Sequence, residues 1–184
     1  MSLQPALIEY ASPTLASLKC GSLFSLIPAD MQLLKREAAQ MSAILAPKGL
    51  SLRLIEVGGG RILCYMFRHA QLLTMLNGSR EAAFLKELGY SSLSVSDAVD
   101  MLCARLAMGG DFPHEIGLFL SYPPEDVKGF IENRAANYKL SGLWKVYGDE
   151  KKAKELFAKY KKCTDIYCER YEAGCGIAEL AVAV

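Results

Sequence analysis

The sequence comprises 184 residues, of which 52% are hydrophobic and 22% charged, a composition that is typical of a folded globular protein and excludes a disordered or fibrous chain. Its length predicts one compact domain covering residues 1–184. The formal net charge of +1 excludes a strong positive field, so no nucleic-acid partner is indicated. Apolar stretches are interrupted before the roughly 20 residues that a membrane span requires, and the first residues carry no basic leader, so we expect a cytoplasmic protein without a membrane partner.

Six cysteines are spread along the chain, and no two of them form a Cys-x-x-Cys pair. A structural zinc site normally draws on closely spaced ligand pairs, and the chain has only two histidines. The spacing therefore predicts reduced, mostly buried thiols and no metal site. A metal site or a disulfide among the last three cysteines stays open at this point; they are Cys163, Cys168 and Cys175.

The first half of the chain predicts helices that alternate with short strands. Ser12 and Pro13 predict the start of a first helix, since serine caps helices and proline favours the first helical position, and Gly21 predicts its end. Apolar residues alternate over 50–57, three glycines follow, and a second apolar run covers 61–67, which together predict a β-hairpin. Further predicted elements are a strand at 22–27 and helices at about 30–46, 69–77, 79–88 and 96–108.

The second half predicts short strands between helices. Residues 116–120 form an uninterrupted apolar run, which favours a buried strand, and residues 177–184 predict a last strand. Pro124 predicts the start of a helix that extends to residue 134, and 143–147 is a candidate strand. Apolar residues at helical spacing predict a long amphipathic helix over 149–172. The predicted fold class is therefore α+β: a β-hairpin plus further short strands in a mixed sheet, packed with about six helices.

Motifs of known catalytic and cofactor sites do not match this chain. The run Gly58-Gly59-Gly60 lacks the lysine and hydroxyl residue of a Walker loop, and a predicted strand follows it where such a loop needs a helix. No Gly-x-Ser-x-Gly elbow is present. A zinc-binding His-Glu-x-x-His motif fails because Leu118 stands where the second histidine belongs. Motifs therefore identify neither a catalytic group nor a cofactor.

The segment 112–127 is the first candidate site. The pair His114-Glu115 directly precedes the apolar run, and Tyr122 and two prolines follow it before the next predicted helix. Loops between a strand and a helix often bind ligands in α/β proteins. Glu125 and Asp126 in the first helical turn already match the positive end of the helix dipole, which favours a cationic or neutral ligand over an anionic one. On a strand, His114 and Glu115 point to opposite faces. A histidine with a purely structural role is the alternative.

A second candidate surface combines aromatic and basic side chains near residue 145. On a strand, Lys145 and Tyr147 share one face and Trp144 lies on the other. This pattern fits either a half-buried strand with lysine stems along its surface or a ligand or partner surface. The helix over 149–172 carries seven basic and six acidic residues, which is typical of a solvated helix face with i,i+4 ion pairs.

The longest distinctive stretch runs from Phe112 to Cys163. It contains Phe-Pro-His-Glu-Ile-Gly-Leu-Phe-Leu at 112–120, Gly-Phe-Ile-Glu-Asn at 129–133 and Trp-Lys-Val-Tyr-Gly-Asp at 144–149. This stretch resembles a bacterial family known as domain of unknown function 3793. The resemblance implies a bacterial cytoplasmic protein and brings no activity, cofactor or catalytic residue. It directs attention to six residues as one ligand-binding site: His114, Glu115, Tyr122, Trp144, Lys145 and Cys163.

Three functions are consistent with the sequence. The leading hypothesis is a non-catalytic domain that binds a small molecule or has a regulatory role, with a homodimer left open. The first alternative is an enzyme that uses His114 or Glu115 as acid–base and Cys163 as nucleophile. The second alternative is a protein-interaction module that uses the helix at 149–172, which would require an exposed apolar patch.

Overall fold

A three-stranded antiparallel sheet organises the first half of the chain in the computed structural model, which describes residues 2–183. Its strands are β1 (Gly21–Leu26), β2 (Leu50–Glu56) and β3 (Ile62–Arg68), in the order β1-β3-β2. Strands β2 and β3 form the predicted hairpin, with Leu54 opposite Cys64. All three glycines of its turn have positive φ angles, a conformation that glycine adopts without steric cost.

Helices surround this sheet, and a second sheet of two short strands lies in the second half of the chain. The two strands, β4 (Leu140–Ser141) and β5 (Lys145–Val146), are antiparallel. No helix within residues 2–183 is long and apolar enough to cross a membrane. The helices are α1 (Leu3–Leu15), α2 (Met31–Leu45), α3 (His69–Leu76), α4 (Ser79–Glu87), α5 (Val95–Met108), α6 (Ile116–Phe119), α7 (Pro124–Glu132), α8 (Glu150–Glu172) and α9 (Ile177–Leu180).

The predicted α+β class is confirmed. Over residues 2–183 the strands form two antiparallel sheets and the helices number nine, whereas the sequence predicted one mixed sheet and about six helices. The helices whose starts carry local capping signals were predicted well. Asp30 caps α2 by accepting hydrogen bonds from the backbone N–H groups of Gln32 and Leu33, and Asp149 caps α8 through the N–H of Lys152.

The central strand β3 is buried on both faces because its side chains alternate between two hydrophobic clusters. Cys64 and Met66 face a cluster that includes α1, α2 and α9. Tyr65 and Phe67 face a second cluster built with α3, α4, α5 and α6. A smaller third cluster joins β5 to α8, and Trp144 lies in it. This last cluster positions the candidate site described below.

The predicted start of the first helix at Ser12 and Pro13 is wrong. Helix α1 begins at Leu3, and Pro13 lies within it, close to its end at Leu15. A proline inside a helix costs about 3 kcal/mol. Residues Leu3, Leu7 and others on the same face are fully buried against the sheet, and we attribute the tolerance of Pro13 to that packing.

Two predicted strands are also wrong. The run at 116–120 contains helix α6, because an uninterrupted apolar run is equally compatible with a buried helical turn. Residues 177–180 form helix α9, whose Glu179 carboxylate accepts a hydrogen bond from the N–H of Gly176. Residue 184 of that predicted strand lies outside the described residues. The candidate strand at 143–147 is reduced to the two residues of β5.

All six cysteines are free thiols. Three are buried and three are half-buried, so half of them match the burial that the sequence predicted for most. Burial raises the pKa of the Cys64 thiol to about 12, and it raises those of Cys103 and Cys163 to about 11. These thiols therefore stay protonated in the folded protein at pH values where they ionise in the unfolded chain.

The buried thiols predict a loss of stability in alkali. A raised pKa in the folded state contributes stability that is complete below the unfolded pKa and is lost as the pH rises toward the folded value. Between pH 8 and pH 10, Cys64 should account for a loss of about 1–2 kcal/mol in the free energy of unfolding. Urea unfolding at both pH values measures this loss. Between them, the free energy of unfolding of Cys64→Val should fall by about 1–2 kcal/mol less than that of the wild type. The variant Val99→Ala, which removes buried volume without a thiol, should keep the pH dependence of the wild type.

Candidate functional site

An apolar cavity of about 410 Å³, here called the α7 cavity, lies between helices α6 and α7 and the turn that joins β4 to β5. Four of the six residues singled out from the sequence line it: His114, Tyr122, Trp144 and Lys145. The rest of its surface is mostly aliphatic and aromatic, with Leu23, Ile116, Leu120, Val127 and Phe130 among the lining residues. Its volume falls within the range of sites that hold small organic ligands.

Two stacked rings, here called the aromatic wall, form one side of the cavity. The ring centroids of Tyr122 and Trp144 are 4.6 Å apart, with planes inclined by 25°. Phe157 of α8 meets the indole edge-on, at a centroid distance of 4.5 Å. Contacts of this kind stabilise beyond the area that they bury, so the orientation of the indole is set before any ligand arrives.

The buried carboxylate of Asp126 holds the aromatic wall in place. Its Oδ2 accepts a hydrogen bond of 2.7 Å from Trp144 Nε1, and its Oδ1 accepts bonds of 2.7 Å from the backbone N–H groups of Tyr147 and Gly148. The sequence assigned Asp126 only to the helix dipole. Its three donors lie 18 to 22 residues further along the chain, and no local sequence pattern predicts hydrogen bonds between residues so far apart.

Two polar side chains, those of His114 and Lys145, lie at the rim of the cavity. The His114 side chain is exposed, and its ring contacts that of Phe130 at a centroid distance of 4.8 Å. Lys145 Nζ donates to the backbone carbonyl of Ala135 at 2.8 Å and lies 4.7 Å from the centroid of the Tyr138 ring. Among residues 2–183 no carboxylate oxygen lies within 4 Å of Lys145 Nζ. Two of its three N–H groups therefore remain for a ligand.

Glu115 lies outside the α7 cavity. It precedes helix α6, is buried, and its Oε1 accepts hydrogen bonds from Arg105 Nη1 at 2.7 Å and from the Tyr90 hydroxyl at 3.1 Å. Burial and the Glu115 charge together raise the pKa of Tyr90. The carboxylate is therefore part of a structural ion pair, and it is not placed to share a substrate with His114.

Cys163 also lies apart from the cavity. It is buried on helix α8 and does not line the cavity. Because burial raises its pKa to about 11, the thiol is protonated at neutral pH and is a weak nucleophile. The enzymatic alternative thus loses the grouping of His114, Glu115 and Cys163 on which it depended.

Helix α8 presents a polar outer surface. The ion pairs predicted at i,i+4 spacing are present, between Lys154 and Glu150 and between Lys161 and Asp165. Ile166 is the one large apolar side chain of α8 that is highly exposed. The interaction-module alternative required a continuous apolar patch on this helix, and a single isoleucine does not provide one.

Taken together, these features define an α+β protein with an aromatic-walled cavity, in which the Asp126 carboxylate is buried and His114 and Lys145 lie at the rim. No group of three or more His, Cys, Asp or Glu side chains within residues 2–183 is arranged to hold a metal ion. The chain belongs to the family described as protein of unknown function (DUF3793), whose model matches residues 7–181, and this match confirms the resemblance seen in the sequence. Searches of curated proteins and of solved structures found no match.

Proposed function

We propose that the protein is a non-catalytic small-molecule-binding protein, and that its ligand occupies the α7 cavity. The observation that carries the proposal is the aromatic wall, fixed by the three hydrogen bonds of Asp126 beside a cavity of about 410 Å³. A site that is formed before binding loses little conformational entropy when a ligand enters, and this favours affinity for small molecules.

The lining residues favour a planar, largely apolar ligand that carries one hydrogen-bond acceptor. Its ring would lie against Trp144 and Phe130, while its acceptor would receive a hydrogen bond from Lys145 at the rim. The negative charge of Asp126 is already compensated by three donors and offers little to a cation, whereas Lys145 has no carboxylate partner within 4 Å among the described residues. We therefore propose a neutral or anionic ligand, in contrast to the cationic or neutral one that the sequence favoured.

Trp144 is the only tryptophan of the chain, so its fluorescence reports directly on the cavity. Three probes of nearly equal shape separate the effects of charge: phenylacetate, phenylacetamide and 2-phenylethylamine. We expect phenylacetate and phenylacetamide at millimolar concentrations, the usual affinity range of ligands with about ten heavy atoms, to change the Trp144 emission. The amine should leave the emission unchanged. An unchanged emission with all three probes would contradict the proposed site.

The role of Lys145 is tested with Lys145→Met, which keeps the aliphatic stem and removes the charge. Phenylacetate should bind this variant about tenfold more weakly, because one hydrogen bond to a charged group contributes about that much to affinity. The affinity for phenylacetamide should fall by a smaller factor. Lys151→Met removes an exposed lysine from α8 and is the matched control. Equal losses in the two variants would mean that general charge, and not Lys145, attracts the probe.

Native mass spectrometry of the purified full-length protein complements these titrations. A mass excess would identify a small molecule that the protein retains, and the same spectrum would report whether the chain is a monomer or a homodimer. Retention of a planar acid or amide would support the proposed ligand class. A retained cation of similar size would contradict it.

We further propose a cytoplasmic location for a single functional domain. Six free thiols fit a reducing compartment, where disulfides rarely persist. A single family model spanning residues 7–181 supports one domain. Labelling intact cells and cells lysed in denaturant with a membrane-impermeant thiol reagent tests the location, since the denaturant exposes the buried thiols and only the lysed cells should yield labelled protein.

A further inference from the structure

Lys19 has an unusual setting for a lysine. It lies between α1 and β1, is half-buried, and its Nζ lies 5.8 Å from the ring centroid of Tyr122 and 5.7 Å from that of Tyr160. Within residues 2–183 no carboxylate oxygen approaches this nitrogen within 4 Å. Lys19 therefore carries an amine that two aromatic rings flank and that forms no ion pair within 4 Å among the described residues.

This amine lines a second cavity, here called the Lys19 cavity, of about 390 Å³. The cavity lies between α1 and α8, and it shares Tyr122 and Trp144 with the α7 cavity, so the aromatic wall borders both. Two of the other polar side chains along it, those of Lys161 and Ser22, already have partners. Lys161 pairs with Asp165 at 2.8 Å, and the hydroxyl of Ser22 is hydrogen-bonded to that of Thr14 at 2.8 Å.

The backbone next to Lys19 is held firmly. The N–H of Cys20 donates a hydrogen bond of 2.7 Å to Ser121 Oγ, and the Cys20 thiol contacts the carbonyl of Phe119 at 3.3 Å. Ser121 has a φ of 63°, a strained conformation for serine, so this contact fixes a specific loop geometry. The Lys19 side chain thus extends from a rigid anchor into the cavity.

We propose that Lys19 is a carbonyl-reactive amine, and that the Lys19 cavity accepts a small aldehyde that forms an imine with it. The lone pair of the neutral amine attacks the carbonyl carbon, and the C=O π electrons move to the oxygen. Transfer of one nitrogen proton to that oxygen gives a carbinolamine. Loss of the hydroxyl group with the second nitrogen proton, as water, then leaves a C=N bond. The step needs no oxidant or reductant.

Protonation equilibria support this chemistry. Burial lowers the pKa of Lys19 to about 8, against a small opposing effect of Cys20. About a quarter of the Lys19 side chains are then free amine at pH 7.5, compared with about 0.1% for an ordinary lysine. Burial also raises the pKa of Tyr122, and that of Tyr160 to about 12, so neither phenol supplies an anion that would keep the amine protonated.

The remaining titratable groups around Lys19 are few. Glu9, Tyr10, Lys161 and Asp165 line the same cavity, and Glu81 and Cys20 line a neighbouring one that Lys19 also borders. The carboxylates of Glu9, Asp165 and Glu81 all lie more than 4 Å from Lys19 Nζ. The thiol of Cys20 is kept protonated because burial raises its pKa.

Reductive trapping of the full-length protein tests the proposal. The protein is incubated at pH 7.5 with benzaldehyde and sodium cyanoborohydride, which reduces imines to stable secondary amines, and the benzyl adducts are located by peptide mass spectrometry. The yield of adduct on Lys19 should exceed that on Lys145 and Lys151 by at least about tenfold. This factor is smaller than the ratio of free-amine fractions, because an amine that is a weaker base is also a weaker nucleophile. Lys145 is a suitable internal comparison because it is also half-buried beside aromatic rings.

The pH dependence and one variant provide the controls. The Lys19 adduct should increase up to about pH 8.5 and then level off, while adducts on exposed lysines should keep increasing toward pH 10. Lys19→Arg keeps the cation between the rings but removes the nucleophile, and it should lose the dominant adduct without losing thermal stability. Equal labelling of Lys19 and the exposed lysines at pH 7.5 would overturn the proposal, as would an undiminished adduct yield in Lys19→Arg.

Discussion

Replacement of Asp126 by asparagine is expected to lower the free energy of unfolding by about 3 kcal/mol and to release the aromatic wall. The carboxylate accepts three hydrogen bonds, and the residue is only 3% exposed, so water does not readily replace it as the acceptor for these donors. An asparagine side chain keeps one acceptor oxygen and turns its NH₂ group toward a donor. At least one buried N–H would lose its partner, and the other bonds would lose the benefit of a charged acceptor.

Two measurements check this expectation. Urea unfolding of Asp126→Asn should show the lower stability, and the emission of Trp144 should shift to longer wavelength as water reaches the indole. Glu125→Gln is the matched control, because it changes the neighbouring carboxylate, which is exposed, and should cost less than about 0.5 kcal/mol. If Asp126→Asn were as stable as this control, the wall would have to be held by ring packing alone.

The parts of the fold that could be predicted from the sequence are those determined by local signals. The hairpin follows from period-2 alternation with glycines that adopt positive φ, and helices α2 and α8 follow from aspartate caps before apolar repeats. Each of these signals involves residues within a few positions of one another. Their physical causes operate before any tertiary contact forms.

The wrong predictions come from features that only tertiary packing decides. The apolar run at 116–120 forms helix α6 because its whole surface is buried, which removes the polar alternation that distinguishes helix from strand. Gly117 allows this turn to pack closely, since a Cβ atom there would lie 2.6 Å from Val127 Cγ2. Helix α1 contains Pro13 for a similar reason, because burial of its apolar face outweighs a local penalty.

The candidate site could be predicted in part. His114, Tyr122, Trp144 and Lys145 meet at one cavity because α7 brings the segment before α6 next to the β4–β5 turn. Glu115 lies apart because its neighbour in space is Arg105, ten residues earlier. The proposal for Lys19 depends on a lysine that is partly buried with no carboxylate within 4 Å among the described residues. No sequence pattern indicates such an environment.

The two proposed sites can be tested independently even though they share the aromatic wall. Lys145→Met should weaken phenylacetate binding and leave the Lys19 adduct unchanged, because Lys145 lines the α7 cavity and not the Lys19 cavity. Lys19→Arg should abolish the dominant adduct and leave phenylacetate binding unchanged. A variant that affected both readouts equally would indicate a disturbed wall, and its Trp144 emission would identify that case.

Replacement of Arg68 by methionine is expected to have the largest effect on stability, a loss of about 4 kcal/mol. Arg68 ends strand β3, is 2% exposed, and donates to backbone carbonyls from three separate segments. These carbonyls belong to Thr14 and Leu15 at the end of α1, to Lys48 before β2, and to Val182 after α9. The guanidinium also lies at the negative end of the α1 dipole, where a cation is favoured.

The variants at Arg68 separate charge from hydrogen-bond geometry. Arg68→Lys keeps the charge but replaces a planar fork by a single ammonium group, which cannot reach all four carbonyls, so it should recover less than half of the loss. Arg61→Met, at the exposed hairpin turn, is the control and should change the stability by less than about 0.5 kcal/mol. Urea unfolding measures all three, and hydrogen exchange at the Val182 amide, which donates to Leu15, locates the effect. A loss below about 1 kcal/mol in Arg68→Met, with Val182 still protected, would mean that apolar packing alone joins α1 to the end of the chain.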